Sequence, residues 1–267
     1  MLQLNLKHNI IIVMIRLNKF LANCNIGSRR TCDKYIFEGK VTVNGKVVEG
    51  LGMIINENSD IVEFEGKKLT LPANSFVYYK LNKPKGYICS THDDRGRKCV
   101  YDLLNVKERV FSIGRLDYDT EGLLIFTNDG KLADKIAHPR NEIKKVYIAK
   151  IEGTIKESEL AVLRSGVVID GVKLPSAKVE FVSAATGSTK IRITITQGIN
   201  HQIKKMISAI GKKLLLLKRV QIGDVKLGGL SRGEFKMLTT DEISKLKNLW
   251  GKNVSSKVFT NNFMAAS

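Results

Sequence analysis

The chain has 267 residues, 43% hydrophobic and 26% charged, long and apolar enough to bury a real core, which excludes a disordered or fibrous protein. Lys plus Arg number 44 against 26 Asp plus Glu, a formal net charge of +18, and that excess points to a polyanionic partner, either nucleic acid or an anionic membrane surface. The four cysteines (Cys24, Cys32, Cys89, Cys99) form no C-x-x-C pair and have no His at metal-ligand spacing, which argues against a disulfide scaffold or a structural zinc and fits a reducing cytoplasm.

The longest apolar run, Ile10 to Ile15, is far short of the roughly 20 residues that span a bilayer, and no small-residue cleavage site follows it. The patterned sequence starts at Ile15, directly after Met14. Residues 1–14 read as an N-terminal extension, either translated from an early start codon or adding at most a short strand. Next, Leu17, Phe20, Leu21 and Cys24 fall at i, i+3, i+4 and i+7, a helical stripe. Gly27 is expected to end that helix. Ser28 is a good N-cap for a second helix that begins at Arg29-Arg30 and stops at Gly39. Val41-Thr42-Val43 then reads as a strand turned by Asn44-Gly45, a strong two-residue hairpin signal, and Ile61 to Phe64 with Glu65-Gly66 repeats that logic. Residues 15–72 thus form a small α+β domain of two helices plus short strands. Between Arg16 and Lys46 lie seven basic and two acidic residues, whereas 47–66 carry no basic residue, so the helices present the basic face.

The stretch RLNKFLANCNIGSRRTCDKYIFEGKVTVNG, residues 16–45, resembles the S4 RNA-binding domain. By that likeness Arg16, Lys19, Ser28, Arg29, Arg30 and Lys34 are candidate RNA contacts. Such contacts go mostly to phosphates and position the RNA without reading its sequence.

Leu71 to Ser75 reads as a linker. Beyond it, strands fit Phe76 to Leu81, Val110 to Ile113, Leu123 to Thr127, Val146 to Ile151, Lys178 to Val182 and Lys190 to Thr196. Helices fit Val100 to Leu104, Gly130 to Ala137, Lys156 to Arg164, Asn200 to Ile210 and Thr240 to Asn248. This mixture implies an α+β domain over 73–250 with a large, mostly antiparallel mixed sheet and flanking helices. Residues 251–267 are polar and unpatterned and read as a disordered tail.

Three stretches carry candidate chemistry. Gly114 to Leu124, GRLDYDTEGLL, places carboxylates on a turn between two strands; taken alone it is a polar turn or, with Asp117, Asp119 and Glu121 alternating, a hydrated metal site that lacks the spacing of a calcium loop. Lys144-Lys145-Val146-Tyr147 opens a strand. Gly198 to Met206 starts a helix capped by Asn200, with lysines whose charge opposes the helix dipole and so requires a facing carboxylate or phosphate. From Asn200 to Val220 there are six basic residues and no acidic one, a basic face.

Together these stretches resemble the RsuA/RluB-type ribosomal RNA pseudouridine synthases. GRLDYDTEGLL matches that family's catalytic-Asp motif, Leu81 to Gly86 its K-P-x-G motif, Lys145-Val146-Tyr147 its K-x-Y motif and Gly198 to Gly211 its basic helix, and an S4 domain ahead of the catalytic domain is the usual layout of this branch. One departure is Lys204, where related branches often carry Arg; a lysine lacks the bidentate fork but keeps the charge.

The resemblance implies site-specific isomerisation of uridine to pseudouridine in ribosomal RNA. That reaction breaks a C–N glycosidic bond and forms a C–C bond to the same ribose, with no group gained, so no metal or redox cofactor is required. Asp117 is then the essential carboxylate, either attacking the ribose or abstracting a ribose proton, two routes the sequence leaves open. Tyr147 stacks on the uracil and assists proton removal at C5, and Lys204 holds Asp117 ionised, while Asp119 points elsewhere on the turn. Arg115 engages the RNA where the flipped nucleotide has left its stack. Lys83, Lys85, Arg95, Arg97 and Lys205 are further phosphate contacts. The implied partner is ribosomal RNA or a pre-ribosomal particle, with no membrane, and the protein is a cytoplasmic monomer. Asp129 to Ala133 with His138-Pro139 leans toward the large-subunit (23S) enzymes over the small-subunit (16S) ones. The competing readings are a non-catalytic RNA-binding ribosome-assembly factor and a metal-dependent nuclease using Asp117, Asp119 and Glu121.

Overall fold

The computed structural model describes residues 2–5, 10–72, 76–169 and 171–249. Residues 73–75 of the expected linker and the tail expected to be disordered lie outside the described residues. The chain divides into two compact units, Met1–Ser75 and Phe76–Ser267.

The first unit holds strands β1 (Leu2–Asn5) and β2 (Ile10–Arg16), helices α1 (Leu17–Asn23) and α2 (Arg29–Phe37), and short strands β3 (Val41–Val43), β4 (Lys46–Val47), β5 (Ile54–Asn56), β6 (Val62–Phe64) and β7 (Lys67–Lys68). Part of the N-terminal extension is therefore strand: β1 pairs antiparallel with β2, and Met14, Ile15 and Arg16 pair with Asn56, Ile55 and Ile54 of β5. Leu17, Phe20 and Leu21 of α1 and Cys32 and Ile36 of α2 are buried in one core with Val41, Ile55 and Val62. Ser28 caps α2, its hydroxyl accepting from Thr31 N–H at 3.0 Å. Between the helices the left-handed residue is Asn25 (φ 64°), not Gly27, whose small size instead leaves room for Thr31. Asn44-Gly45 and Glu65-Gly66 both take two successive positive φ angles, the turn that matches strand twist in a two-residue hairpin.

The second unit is α+β. Its elements are β8 (Tyr78–Lys83), β9 (Phe111–Ser112), β10 (Glu121–Thr127), α3 (Gly130–Ala137), β11 (Lys145–Glu152), α4 (Glu157–Ser165), β12 (Val168–Ile169), β13 (Val172–Lys173), β14 (Lys178–Ala185), β15 (Ser188–Ile195), α5 (Gln202–Ala209), β16 (Leu214–Ile222), β17 (Val225–Lys226), β18 (Phe235–Met237) and α6 (Thr240–Asn248). Val100–Leu103 is a 3₁₀ turn. The main sheet runs β14-β15-β11-β16-β10-β8-β18, with β9 on β10 and β17 on β16. Its pairs are antiparallel except β10 with β16, which is parallel. Among the described residues no helix is long and apolar enough to cross a membrane.

At β8 and β10 both faces of the sheet are covered, and strand alternation divides the core accordingly. On β10, Leu123 and Ile125 pack with Leu132 and Ile136 of α3 and Leu246 of α6, while Leu124 and Phe126 face Tyr79, Leu81 and Val100. On β11, Ala149 and Ile151 pack against Leu160 and Leu163 of α4 and Ile203, Met206 and Ile207 of α5. The i, i+3, i+4 spacing of those last three turns Lys204 and Lys205 away from the core. The helix starts at Gln202, its N-cap is His201 in a left-handed conformation, and Asn200 does not cap it. The long central strand β16, LLLLKRVQI, has no counterpart among the expected elements.

At the parallel pair the backbones of Gly122 and Arg219 approach so closely that a Cβ on Gly122 would lie 2.1 Å from the Arg219 carbonyl oxygen, and φ there is +106°. Gly122→Ala is therefore expected to cost about 3 kcal/mol or more. Gly130→Ala, with ordinary φ and its nearest neighbour at 3.8 Å, should be neutral or mildly stabilising. Urea unfolding of both variants checks the contrast; equal stabilities would contradict it.

Candidate functional site

The loop carrying Asp117 is held from several sides. Lys83, the last residue of β8, is fully buried, and four carbonyl oxygens lie within reach of its ammonium: Asp117 at 2.9 Å, Thr120 at 2.9 Å, Pro84 at 3.1 Å and Tyr118 at 3.4 Å. Burial pushes Lys83 below the ordinary lysine value. Thr120 N–H donates to Asp117 O at 3.1 Å and Gly86 N–H to Tyr118 O at 2.9 Å. Cys89 grips the residue before the Asp, its sulfur accepting from Leu116 N–H and donating to Leu116 O, each at 3.3 Å.

With its backbone fixed, Asp117 presents its carboxylate to the first turn of α5. Lys204 Nζ lies 2.8 Å from Asp117 Oδ2 and 2.5 Å from Asp119 Oδ1, and His201 Nδ1 is 3.8 Å from Asp117 Oδ2. Burial works against the charge on Lys204, but its hydrogen bonds to both carboxylates outweigh it and hold the ammonium above its ordinary value. Burial likewise works against ionisation of Asp119, and the hydrogen bond from Lys204 wins, holding that carboxyl low. The two acids also supply the negative charge that a lysine-bearing helix N-terminus requires.

Asp117, His201 and Lys204 line an open cavity of about 300 Å³ together with Tyr147 and Lys145 of β11 and Arg219 of β16. Tyr147 and Arg219 are register partners, so both side chains rise from one sheet face. Arg219 is buried. Its Nε donates to Leu123 O at 2.8 Å and its Nη1 to Arg115 O at 3.4 Å, tying both ends of the Asp117 loop, while Nη2 is buried with no hydrogen-bond partner among the described residues. Lys145 donates to Ile143 O and Thr196 O, each at 3.1 Å; burial, and then the Arg219 charge, push it down to about 8.

The structure thus brings Asp117, Lys204 and Tyr147 to one cavity, with Arg115 exposed at its edge. Lys85 and Lys205 are exposed. In the first unit Arg16, Arg29, Arg30 and Lys34 are exposed and Lys19 is half-buried, while the Ser28 hydroxyl serves as the cap described above. Two expectations are corrected. Lys83 cannot reach RNA phosphates, because it is sealed among carbonyls of the Asp117 loop. Asp119 does not point elsewhere on the turn, because it shares Lys204 with Asp117. Arg97 is also tied down, its Nη2 2.5 Å from Asp93. Glu121 is buried and turned to Arg232 at 3.1 Å, so the three acids of the turn do not converge on one point. Lys145 and His201 fell within the quoted motifs but were given no role, and Arg219 was not singled out, although basic residues inside an apolar run, as in LLLLKRVQI, mark charge that needs a reason.

Comparison with known proteins finds relatives over most of the chain. Residues 77–209 match the family described as RNA pseudouridylate synthase, and residues 15–61 match the S4 domain. An uncharacterized RNA pseudouridine synthase of Aquifex aeolicus is 41% identical over 235 residues, covering 87% of this chain and 93% of the relative. The ribosomal large subunit pseudouridine synthase B of Bacillus subtilis is 41% identical over 245 residues, covering 90% of this chain and 99% of the relative. A crystal structure of a pseudouridylate synthase superposes with a TM-score of 0.63 at 32% identity, covering 87% of this chain and 99% of that one.

The shared lysine yields a pH prediction. Asp119 is 61% exposed, so Asp119→Asn should lower stability by less than about 1 kcal/mol at pH 7. The folded carboxyl titrates below its ordinary 3.8, so its contribution is full above that value and is lost as pH falls through the folded value. Urea unfolding at pH 7 and pH 3 should show the gap between variant and wild type closing on acidification; a gap that widens would contradict the pairing.

Proposed function

The chain belongs to the RNA pseudouridine synthases and carries an S4 domain, and from that premise we propose that it isomerises specific uridines of ribosomal RNA with Asp117 as the essential carboxylate. The observation that carries this reading is the Asp117–Lys204 pair at 2.8 Å at the mouth of a cavity lined by Tyr147. The ammonium of Lys204 orients the carboxylate and sets a positive charge beside it, an arrangement that serves either the nucleophilic or the proton-abstracting route. The backbone clamps on 116–120 hold it at one point, which lowers the cost of reaching the reacting geometry. Tyr147 offers a flat face for the extruded base, Arg115 at the rim meets the strand it has left, and Lys85 and Lys205 supply exposed charge for phosphates.

Substrate choice follows from the relatives and the first unit. The Bacillus subtilis relative is named for the large ribosomal subunit, and with the Asp129 to Ala133 and His138-Pro139 stretch this favours 23S over 16S RNA as the target. Arg16, Lys19, Arg29, Arg30 and Lys34 give the S4 unit a cationic surface suited to anchoring on phosphates, either of free ribosomal RNA or of a pre-ribosomal particle.

The test is single-turnover release of tritium from uracil C5 on ribosomal RNA fragments. Asp117→Asn, which keeps shape and removes the ionisable group, should slow release by more than about 1,000-fold while RNA binding persists. Tyr147→Phe keeps the ring and should lose on the order of 100-fold if the hydroxyl takes part in proton removal. Near wild-type release from Asp117→Asn would overturn the assignment, and wild-type protein that binds RNA without releasing tritium would make it a non-catalytic assembly factor.

For the first unit, Arg29→Ala with Arg30→Ala should weaken binding and lower the salt slope by about one for each lost phosphate contact, with turnover at saturating RNA nearly intact. Collapse of turnover at saturation with binding unchanged would refute an anchoring role.

A further inference from the structure

Two cations in the cavity lack an acid. Among the described residues neither Lys145 nor Arg219 forms a salt bridge, whereas Lys80, the other buried lysine of β8, pairs with Glu242, and Lys83 is enclosed by carbonyls. Lys145 uses two of its three N–H donors on the Ile143 and Thr196 carbonyls, which orient the ammonium, and it lines the cavity two residues from Tyr147 on the same strand face. Arg219 adds a second positive charge close enough to oppose that of Lys145. Burying like charges together without a counter-charge is costly, and the arrangement is balanced by an anion arriving in the cavity.

The isomerisation itself generates an anion. When the C1′–N1 bond breaks, its electron pair leaves with N1 and spreads over O2 and O4 of the uracil ring. On the ribose side either a carboxylate oxygen of Asp117 bonds to C1′, or Asp117 takes the 2′ proton and a C1′–C2′ double bond forms. Both routes release a uracil monoanion, which then rotates and bonds to C1′ through C5, either as the Asp117–C1′ bond breaks and frees the carboxylate or as Asp117 returns its proton to C2′; loss of the C5 proton to a base and protonation of N1 complete the isomerisation. On the synthase reading the group that enters the cavity is the extruded base, with the backbone phosphates left on the strand. We propose that Lys145, with Arg219 beside it, stabilises the negative charge that develops on the departing uracil. Fixed donors placed where negative charge develops are among the strongest contributions to catalysis. This inference rests on the synthase reading above.

The other titratable and charged groups lining the cavity are Asp117 and Arg115 from the loop, His201 and Lys204 from α5 and Tyr147 from the same strand. Lys145 must carry its proton for this role, so the rate should fall as pH rises through about 8.

The test compares a leaving group of ordinary and of improved stability. Ribosomal RNA fragments carry either uridine or 5-fluorouridine at the target position; fluorine withdraws electrons and stabilises the ring anion. Single-turnover loss of the starting nucleoside is followed after nuclease digestion. Lys145→Met should slow the uridine substrate on the order of 100-fold and the fluorinated one at least fivefold less, with unchanged RNA affinity. Lys145→Arg should restore most of the rate and move the alkaline fall to higher pH, which a purely structural role would not do, and thermal melting of both variants reports folding separately. Equal slowing of the two substrates would overturn the proposal, as would a defect confined to RNA affinity, which would make Lys145 a phosphate contact. Absence of uridine loss with wild-type protein would instead refute the synthase reading itself.

Discussion

The catalytic half of this protein is organised around one buried ammonium. Lys83 ends a fully buried strand and makes its hydrogen bonds to main-chain carbonyls, three of them from the turn that carries Asp117. A charge that far from water is tolerable only where dipoles replace its hydration, so the turn must fold around the lysine or leave it unsolvated. The constraint propagates. Arg219 grips the carbonyls of Arg115 and Leu123 on either side of the same turn, and reaching them requires the close backbone approach that only a glycine at 122 permits. The carboxylate of Asp117 is thereby placed without its own side chain being used as a structural tie within the turn, and it faces Lys204.

Charge is distributed in the same economical manner. Acids and bases cancel at the cavity mouth, where Lys204 bridges Asp117 and Asp119, while the interior keeps an uncompensated positive pair, Lys145 and Arg219. A lysine at 204 suits this layout better than an arginine fork would, since a compact ammonium can serve two separate carboxylates at once. The basic surface of the S4 unit is a different kind of positive charge, solvated and long-ranged, suited to holding a polyanion without chemistry.

Much of this was legible in the sequence where local rules decide. The Asn44-Gly45 and Glu65-Gly66 hairpins, the Ser28 cap, and helices α3 and α6 follow from turn chemistry and capping, and they stand where the residues imply. Strand β16 did not, because its run of four leucines shows no alternation and its lysine and arginine resemble a basic helix face. The site divides along the same line. Asp117, Tyr147 and Lys204 lie in recognisable motifs, but the burial of Lys83, the turn of Asp119 toward Lys204 and the role of Arg219 depend on strands 34 to about 100 residues apart in sequence coming together. Residue type alone cannot distinguish a lysine that meets phosphate from one that meets carbonyls.

The most direct measurement is a pseudouridine map of both ribosomal RNAs in a strain lacking this gene. The account predicts loss of modification at one or a few uridines of the large-subunit RNA, restored by the wild-type gene and not by one encoding Asp117→Asn. A map unchanged by the deletion, or restored equally well by the Asp117→Asn protein, would contradict it.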